Sequence, residues 1–118
     1  MGKSRTAPDT NDEYYTAKFY LYSIPDITFL RVLENMSKGI GTSLDYLHCE
    51  FPGDIEEEEG PFEGVRFRVL DDNGIVLDEE EFYYLLKNTC KEYLMDFPQD
   101  RGTVQRLLNK VAYKLSLE

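Results

Sequence analysis

The clearest hydrophobic periodicity lies near the end of the chain and predicts two helices. Between residues 78 and 97, apolar side chains recur along one helix face: Phe82, Leu85, Leu86, Cys90, Tyr93, Leu94 and Phe97. Asp78 and Glu81 have the spacing of a capping box that starts this helix, and Pro98 ends it. A final helix, capped by Asp100 or Thr103, would bury Val104, Leu107, Leu108, Val111, Ala112 and Leu115.

Alternating positions in the middle of the chain predict a small antiparallel sheet. Residues 43–51 suit a strand, because β-forming side chains occur on both alternating sets. The next strand has one apolar and one polar face, with Val65, Phe67 and Val69 against Arg66 and Arg68. The turn Asp71-Asp72-Asn73-Gly74 predicts a hairpin to residues 75–77, since Asn-Gly tolerates the positive φ angles of tight turns.

The N-terminal third is predicted to add helical structure to this sheet. Polar residues 1–12 indicate a flexible leader without core contacts, followed by a single domain over residues 13–118. Residues 14–22 fit either a strand or a helix face, and we favour the helix. Ile24-Pro25-Asp26 predicts the start of another helix, whose stripe for burial is Ile27, Leu30, Leu33 and Met36.

These elements together predict one α+β domain. An antiparallel sheet of about three strands would be packed on one face against the two C-terminal helices, with an N-terminal helix before it. At 118 residues with 42% hydrophobic side chains, the chain is long and apolar enough for one hydrophobic core.

Charge excludes several classes of partner. The net charge of −10 argues against direct nucleic-acid binding, which gains its free energy from Lys and Arg displacing counterions, and it equally disfavours anionic membranes. No stretch approaches the ~20 apolar residues that span a bilayer, and residues 1–12 do not resemble a secretion signal. The sequence therefore predicts a cytoplasmic protein, and it leaves the oligomeric state open.

The negative charge is concentrated in one part of the chain. Between Asp45 and Glu81 there are 14 acidic and two basic residues, a net −12, so the rest of the chain sums to +2. Such crowding destabilises a fold by self-repulsion, yet it speeds encounter with a basic partner. The simpler interpretation is a solvated loop plus a helix cap. The hypothetical partner-binding residues are Asp54, Glu56, Glu57, Glu58, Glu59, Glu63, Asp71 and Asp72.

Catalytic and metal chemistry is poorly supported. The fragment Asp71-x-Asn73-Gly74 resembles part of a calcium loop, but Val69 stands where the first carboxylate ligand belongs. His48 is the only histidine, and Cys49 points to the opposite strand face, so the two do not form a thiolate pair. Cys49 and Cys90 are expected to be buried thiols, and no cofactor motif is present. We therefore expect a binding protein, not an enzyme.

Exposed tyrosines are a second feature of interaction surfaces. The chain has nine tyrosines, most of which we expect to pack in the core or along helices. The predicted elements allow four of them to face solvent, where Tyr is enriched at protein interfaces: Tyr14, Tyr20, Tyr46 and Tyr84.

Three stretches carry a resemblance to a known family. They are Phe51-Pro-Gly-Asp-Ile-Glu-Glu-Glu-Glu with Phe62-Glu-Gly-Val-Arg-Phe, Glu80-Glu-Phe-Tyr-Tyr-Leu-Leu-Lys, and Pro98-Gln-Asp. In this order and spacing, over about residues 24–116, the chain resembles the CdiI family of ribonuclease-toxin immunity proteins of bacterial contact-dependent inhibition systems. The resemblance implies a cytoplasmic antidote that binds the C-terminal nuclease domain of a CdiA-type toxin and covers its active site or RNA-binding groove.

Two other functions compete with this implication. An acidic adaptor or regulator that binds a basic cellular protein would show the same charge pattern, and gene neighbourhood would separate it from an immunity protein. A small hydrolase that uses carboxylates or His48 is the weaker alternative, and it predicts an activity that is lost when His48 is replaced by alanine.

Overall fold

The computed structural model of the chain describes residues 7–52, 64–70 and 74–117. The helices are α1 (Tyr15–Ser23), α2 (Phe29–Ser37), α3 (Glu79–Asp96) and α4 (Arg101–Lys114). The strands are β1 (Ser43–Leu44), β2 (Leu47–Glu50), β3 (Val65–Val69) and β4 (Ile75–Leu77). Short 3₁₀ turns, Asp26–Thr28 and Pro98–Asp100, precede α2 and α4. The predicted α+β class is confirmed, including the helix over residues 14–22.

The sheet has four strands in the order β1-β2-β3-β4, with antiparallel neighbours. It has one strand more than expected because the predicted strand over residues 43–51 is divided. Asp45 adopts a φ of 52°, which reverses the chain, and Ser43 pairs with His48 across the resulting hairpin. The predicted hairpin between β3 and β4 is confirmed by their pairing, and residues 71–73 of its turn lie outside the described part.

One face of the sheet packs against α1 and α3. The Phe67 ring from β3 lies 5.3 Å from the ring centre of Tyr20 in α1 and 5.9 Å from that of Phe82 in α3. All three side chains are fully buried. Helix α4 packs mainly on α2, one layer further from the sheet. The expectation that both C-terminal helices cover the sheet is therefore half right, because α1 takes the place assigned to α4.

The buried face of α2 differs from the predicted stripe. Leu33 and Met36 are buried as expected, but Ile27 is 93% exposed because it lies in the 3₁₀ turn before the helix. Phe29 and Val32 complete the buried face instead. A spacing of three residues drifts around an α-helix, whose true period is 3.6, so the first member of the stripe is turned outward.

The two C-terminal helices follow their sequence signals closely. The Asp78 side chain accepts a hydrogen bond from the Glu81 N–H at 2.8 Å, and the Glu81 carboxylate accepts one from the Asp78 N–H at 3.0 Å. The predicted capping box is therefore confirmed. Asp100 occupies the N-cap position of α4, but its carboxylate accepts a bond from the Tyr93 hydroxyl at 2.7 Å and does not cap the helix.

The described part of the predicted leader contacts the start of α1. The Asp12 carboxylate accepts hydrogen bonds from the Tyr14 N–H and from the Lys18 ammonium, and these bonds lower its pKa. The flexibility of residues 1–12 stays a prediction. Among the described residues, no helix is both long and apolar enough to span a membrane.

Candidate functional site

The residues predicted to bind a partner fall in two short segments. Asp54, Glu56, Glu57, Glu58, Glu59, Glu63, Asp71 and Asp72 all lie outside the described residues. The structure does describe the residues that flank each segment. The first segment runs from Pro52 to Gly64, and the second runs from Leu70 to Gly74.

These positions lie at opposite ends of β3. Gly64 precedes the strand and Leu70 follows it, so the six steps from one to the other, at ~3.3 Å each, separate them by about 20 Å. We call the first end, with Pro52, Gly64 and Asp78–Glu81, the loop end. The second, with Asp45, Tyr46 and Leu70, is the turn end. The two predicted acidic segments therefore start from different ends of the sheet.

The loop end brings further acidic residues to the acidic segment. A cleft of about 720 Å³ is lined by both boundaries of that segment, Pro52 and Gly64, together with three acidic residues and one basic residue: Asp78, Glu79, Glu80 and Lys114. Gly64 has a φ of 97°, and a β-carbon there would lie 2.0 Å from the Leu77 carbonyl oxygen. This close approach fixes the end of the acidic segment against the start of α3.

The acidic residues at the start of α3 have two different roles. Asp78 and Glu81 cap the helix, and the Tyr14 hydroxyl also donates to the Glu81 carboxylate at 2.5 Å, which raises the pKa of Tyr14 to about 12. No hydrogen bond or ion pair occupies the side chains of Glu79 and Glu80 within the part that the structure describes, and Glu80 is exposed. Sequence reasoning assigned all of these residues to the helix cap and so missed Glu79 and Glu80 as candidates.

The turn end presents an exposed leucine in an unfavourable backbone conformation. Leu70 has a φ of 55° and is 62% exposed, and Tyr46 beside it is 48% exposed. The Leu70 N–H donates to the Tyr46 carbonyl at 2.7 Å, and the Leu70 carbonyl accepts from the Arg68 guanidinium at 2.9 Å. Left-handed backbone conformations are costly for a bulky side chain, so these bonds are what hold Leu70 in place.

A cluster of Glu50, Arg66 and Arg68 lies on the sheet face opposite the helices. Arg66 contacts one carboxylate oxygen of Glu50 at 2.6 Å, and Arg68 contacts the other at 2.7 Å. The hydrogen bond from Arg68 and that from Arg66 lower the pKa of Glu50, against the opposing effect of burial. Arg66 and Arg68 are the two basic residues between Asp45 and Glu81, and both therefore bind the Glu50 carboxylate. This face is half-buried, although alternation predicted a solvated one.

The histidine, the two cysteines and the four tyrosines singled out from the sequence show no arrangement typical of an active site. His48 forms a 2.8 Å hydrogen bond with the Ser43 hydroxyl across the β1–β2 hairpin, while Cys49 and Cys90 are buried thiols outside any disulfide, as expected. Of the four tyrosines, Tyr46 and Tyr84 are exposed, Tyr14 is half-buried, and Tyr20 is completely buried against Phe67, which contradicts its predicted exposure. No group of three His, Cys, Asp or Glu side chains in the described ranges is placed to hold a metal ion.

Comparison with known proteins identifies the family. Residues 13–108 match the family model described as CDI immunity protein. The chain belongs to this family. The matched range extends from the residues before α1 into α4, so it includes both ends of the sheet and the acidic segments between the strands. A comparison with curated proteins gave no match.

Family membership agrees with the earlier resemblance and with the charge distribution. CDI immunity proteins bind a cognate toxin and act as inhibitors, not as enzymes. The absence of catalysis was expected because His48 and the two thiols have no arrangement typical of an active site. The loop end and the turn end are therefore candidate surfaces for binding another protein.

Proposed function

We propose that this CDI immunity protein acts in the cytoplasm, where it binds the C-terminal ribonuclease domain of a cognate CdiA-type toxin. The bound immunity protein covers the cationic active site or the RNA-binding groove of that domain. One observation supports the proposal above others: the 14 acidic residues between Asp45 and Glu81 stand against two basic ones, and both of these bind Glu50.

The physical argument rests on what a ribonuclease must present. A protein that binds RNA gains affinity from Lys and Arg side chains that displace counterions from phosphates. Carboxylates offered to the same cations compete directly with the RNA. Opposite charges also steer diffusing partners together, which raises the association rate above the ~10⁵–10⁶ M⁻¹s⁻¹ of uncharged partners. Fast capture suits an antidote that must act before the toxin cleaves RNA.

The loop end is the proposed centre of this electrostatic contact. The acidic segment with Glu56–Glu59 begins and ends there, and Glu79 and Glu80 line the same cleft. The positive end of the α3 dipole stabilises these two carboxylates, and their charges remain available to a partner. Asp71 and Asp72 follow Leu70 in sequence and would contribute negative charge from the turn end.

A charge-reversal experiment tests the proposal. The double variant Glu57→Lys/Glu58→Lys should associate with the toxin domain at least tenfold more slowly at low salt, and its association rate should depend less on ionic strength. The matched control is Glu34→Lys/Asp96→Lys, which changes the net charge equally at exposed positions, one in α2 and one at the opposite end of α3 from the loop end. Stopped-flow kinetics would measure both rates.

Three outcomes would contradict parts of the proposal. If the Glu57/Glu58 variant associates as fast as the unmodified protein at low salt, the acidic segment is not the contact. If the control slows equally, only the overall charge matters. If co-expression with the toxin domain encoded beside the gene restores no growth and protects no RNA from cleavage, the acidic adaptor becomes the better description.

A further inference from the structure

The strongest unexplained feature of the molecule is the pair Tyr46 and Leu70 at the turn end. Both side chains are large and exposed, at 48% and 62%, and a backbone hydrogen bond joins them. Exposed apolar side chains that occur singly need no explanation. A pair joined by a backbone hydrogen bond that includes a leucine with a φ of 55° is different, because Leu70 bears the free-energy cost of an unfavourable backbone conformation while its apolar side chain stays mostly exposed.

The surrounding structure maintains this costly conformation. Arg68 donates to the Leu70 carbonyl, and Glu50 holds Arg68 in turn through two hydrogen bonds of 2.7 and 3.1 Å. On the other side, the Leu70 N–H is bound to the Tyr46 carbonyl in the turn that follows β1. Strain that neighbouring groups enforce so fully is typical of functional positions.

The surroundings of the pair indicate the chemistry of its partner. Asp45 precedes Tyr46, and Asp71 and Asp72 follow Leu70 in sequence, so the apolar pair has acidic neighbours along the chain. Tyr46 also lines a groove of about 430 Å³ between the β1–β2 hairpin and the start of α2, whose walls include apolar Pro25 and Val32 and the charged Asp45 and Arg31. An apolar centre beside charged groups is the common arrangement of protein-binding hot spots.

We propose that Tyr46 and Leu70 form the apolar anchor of the toxin interface, and that the occupant is an apolar side chain surrounded by basic residues on the toxin domain. This inference rests on the proposed function and adds a second contact to it. Carboxylates at the loop end govern the rate of encounter, whereas Tyr46 and Leu70 govern how long the complex lasts.

Substitutions at the two positions test the anchor. Leu70→Ala and Tyr46→Ala should each raise the dissociation rate of the complex about 10- to 30-fold, as truncation of a hot-spot residue does. The size of this increase should be nearly the same at high salt as at low salt. Leu70→Gly should weaken binding as much as Leu70→Ala, yet its thermal midpoint should be higher than that of Leu70→Ala, because glycine adopts a positive φ without strain. Surface plasmon resonance and calorimetry would measure these quantities.

Met95→Ala and Tyr113→Ala are the matched controls, since these side chains are also exposed, at 71% and 82%. Both should dissociate at the unmodified rate. The anchor is wrong if the Leu70 and Tyr46 variants also dissociate at that rate, or if the controls lose as much. It is also wrong if binding falls only in proportion to lost thermal stability, because that result assigns a structural role to the pair.

The failure of the anchor and the failure of the proposed function give different results. If Glu57→Lys/Glu58→Lys slows association while the Leu70 and Tyr46 variants bind normally, only the anchor is overturned. If the unmodified protein does not bind the toxin domain at all, both are overturned.

Discussion

The two ends of the sheet differ in how they present side chains to a partner. At the loop end, Glu79 and Glu80 project from a well-capped helix, and their charges bind nothing within the described structure. At the turn end, Leu70 is exposed in a strained conformation that Glu50 supports through Arg68. Glu79 and Glu80 thus present their charge to solvent at the loop end. The Glu50 carboxylate instead supports Leu70 at the turn end, through Arg68.

This difference matters for how an inhibitor works. Long-range charge accelerates encounter but is screened by salt over about 8–10 Å, so it contributes little to the lifetime of a complex. A desolvated apolar contact acts over a short range and mainly slows dissociation. A fast and lasting inhibitor needs both, and the two contacts that we propose lie about the length of β3 apart.

The largest expected effect concerns the glycines that fix each end. A β-carbon at Gly64 would lie 2.0 Å from the Leu77 carbonyl oxygen, and one at Gly74 would lie 2.1 Å from that of Phe67. Gly64→Ala and Gly74→Ala should each destabilise the fold by about 3 kcal/mol or more, measured by urea unfolding. Gly102→Ala is the control, because nothing lies within 4 Å of its β-carbon, and it should stabilise α4 by up to ~1 kcal/mol. Equal tolerance at all three positions would show that neither end is fixed.

A smaller effect is expected from loss of the internal carboxylate. Glu50→Gln removes the charge that binds two arginines with side chains only 20% and 25% exposed, and should cost about 2 kcal/mol of unfolding free energy. Glu34→Gln is the matched control, since its 3.7 Å pair with Lys38 is more than half exposed and should contribute under ~0.5 kcal/mol. If the two variants lose the same stability, Glu50 is no more than a surface charge.

The smallest expected effects are changes of stability with pH. They separate the support of Leu70 by Glu50 from the bond between Tyr14 and Glu81 at the loop end. Because the pKa of Glu50 is lowered in the fold, its contribution is present above the ordinary glutamate pKa and is lost as pH falls through the lowered value. Because the pKa of Tyr14 is raised from 10.0 to about 12, its bond to Glu81 stabilises the fold below pH 10 and is lost as pH rises towards 12. Thermal midpoints across pH would show the acid effect vanish in Glu50→Gln and the alkaline effect vanish in Tyr14→Phe. Unchanged profiles in both variants would contradict the assignments.

Sequence by itself determined the parts of this protein that depend on near neighbours. The capping box of Asp78 and Glu81, the burial of α3 and α4, the β3–β4 hairpin and the α+β class all follow from patterns within a few residues. Such patterns are reliable because helix capping, turn geometry and side-chain periodicity are set by local backbone geometry. The family resemblance depended on short motifs in order and was equally visible.

Tertiary structure alone decided which residues meet. Alternation placed Glu50, Arg66 and Arg68 on one sheet face, but only the register of β2 on β3 joins them into one cluster. The contact between Tyr46 and Leu70 at the turn end likewise follows from the pairing of β2 with β3, which short-range sequence patterns do not encode.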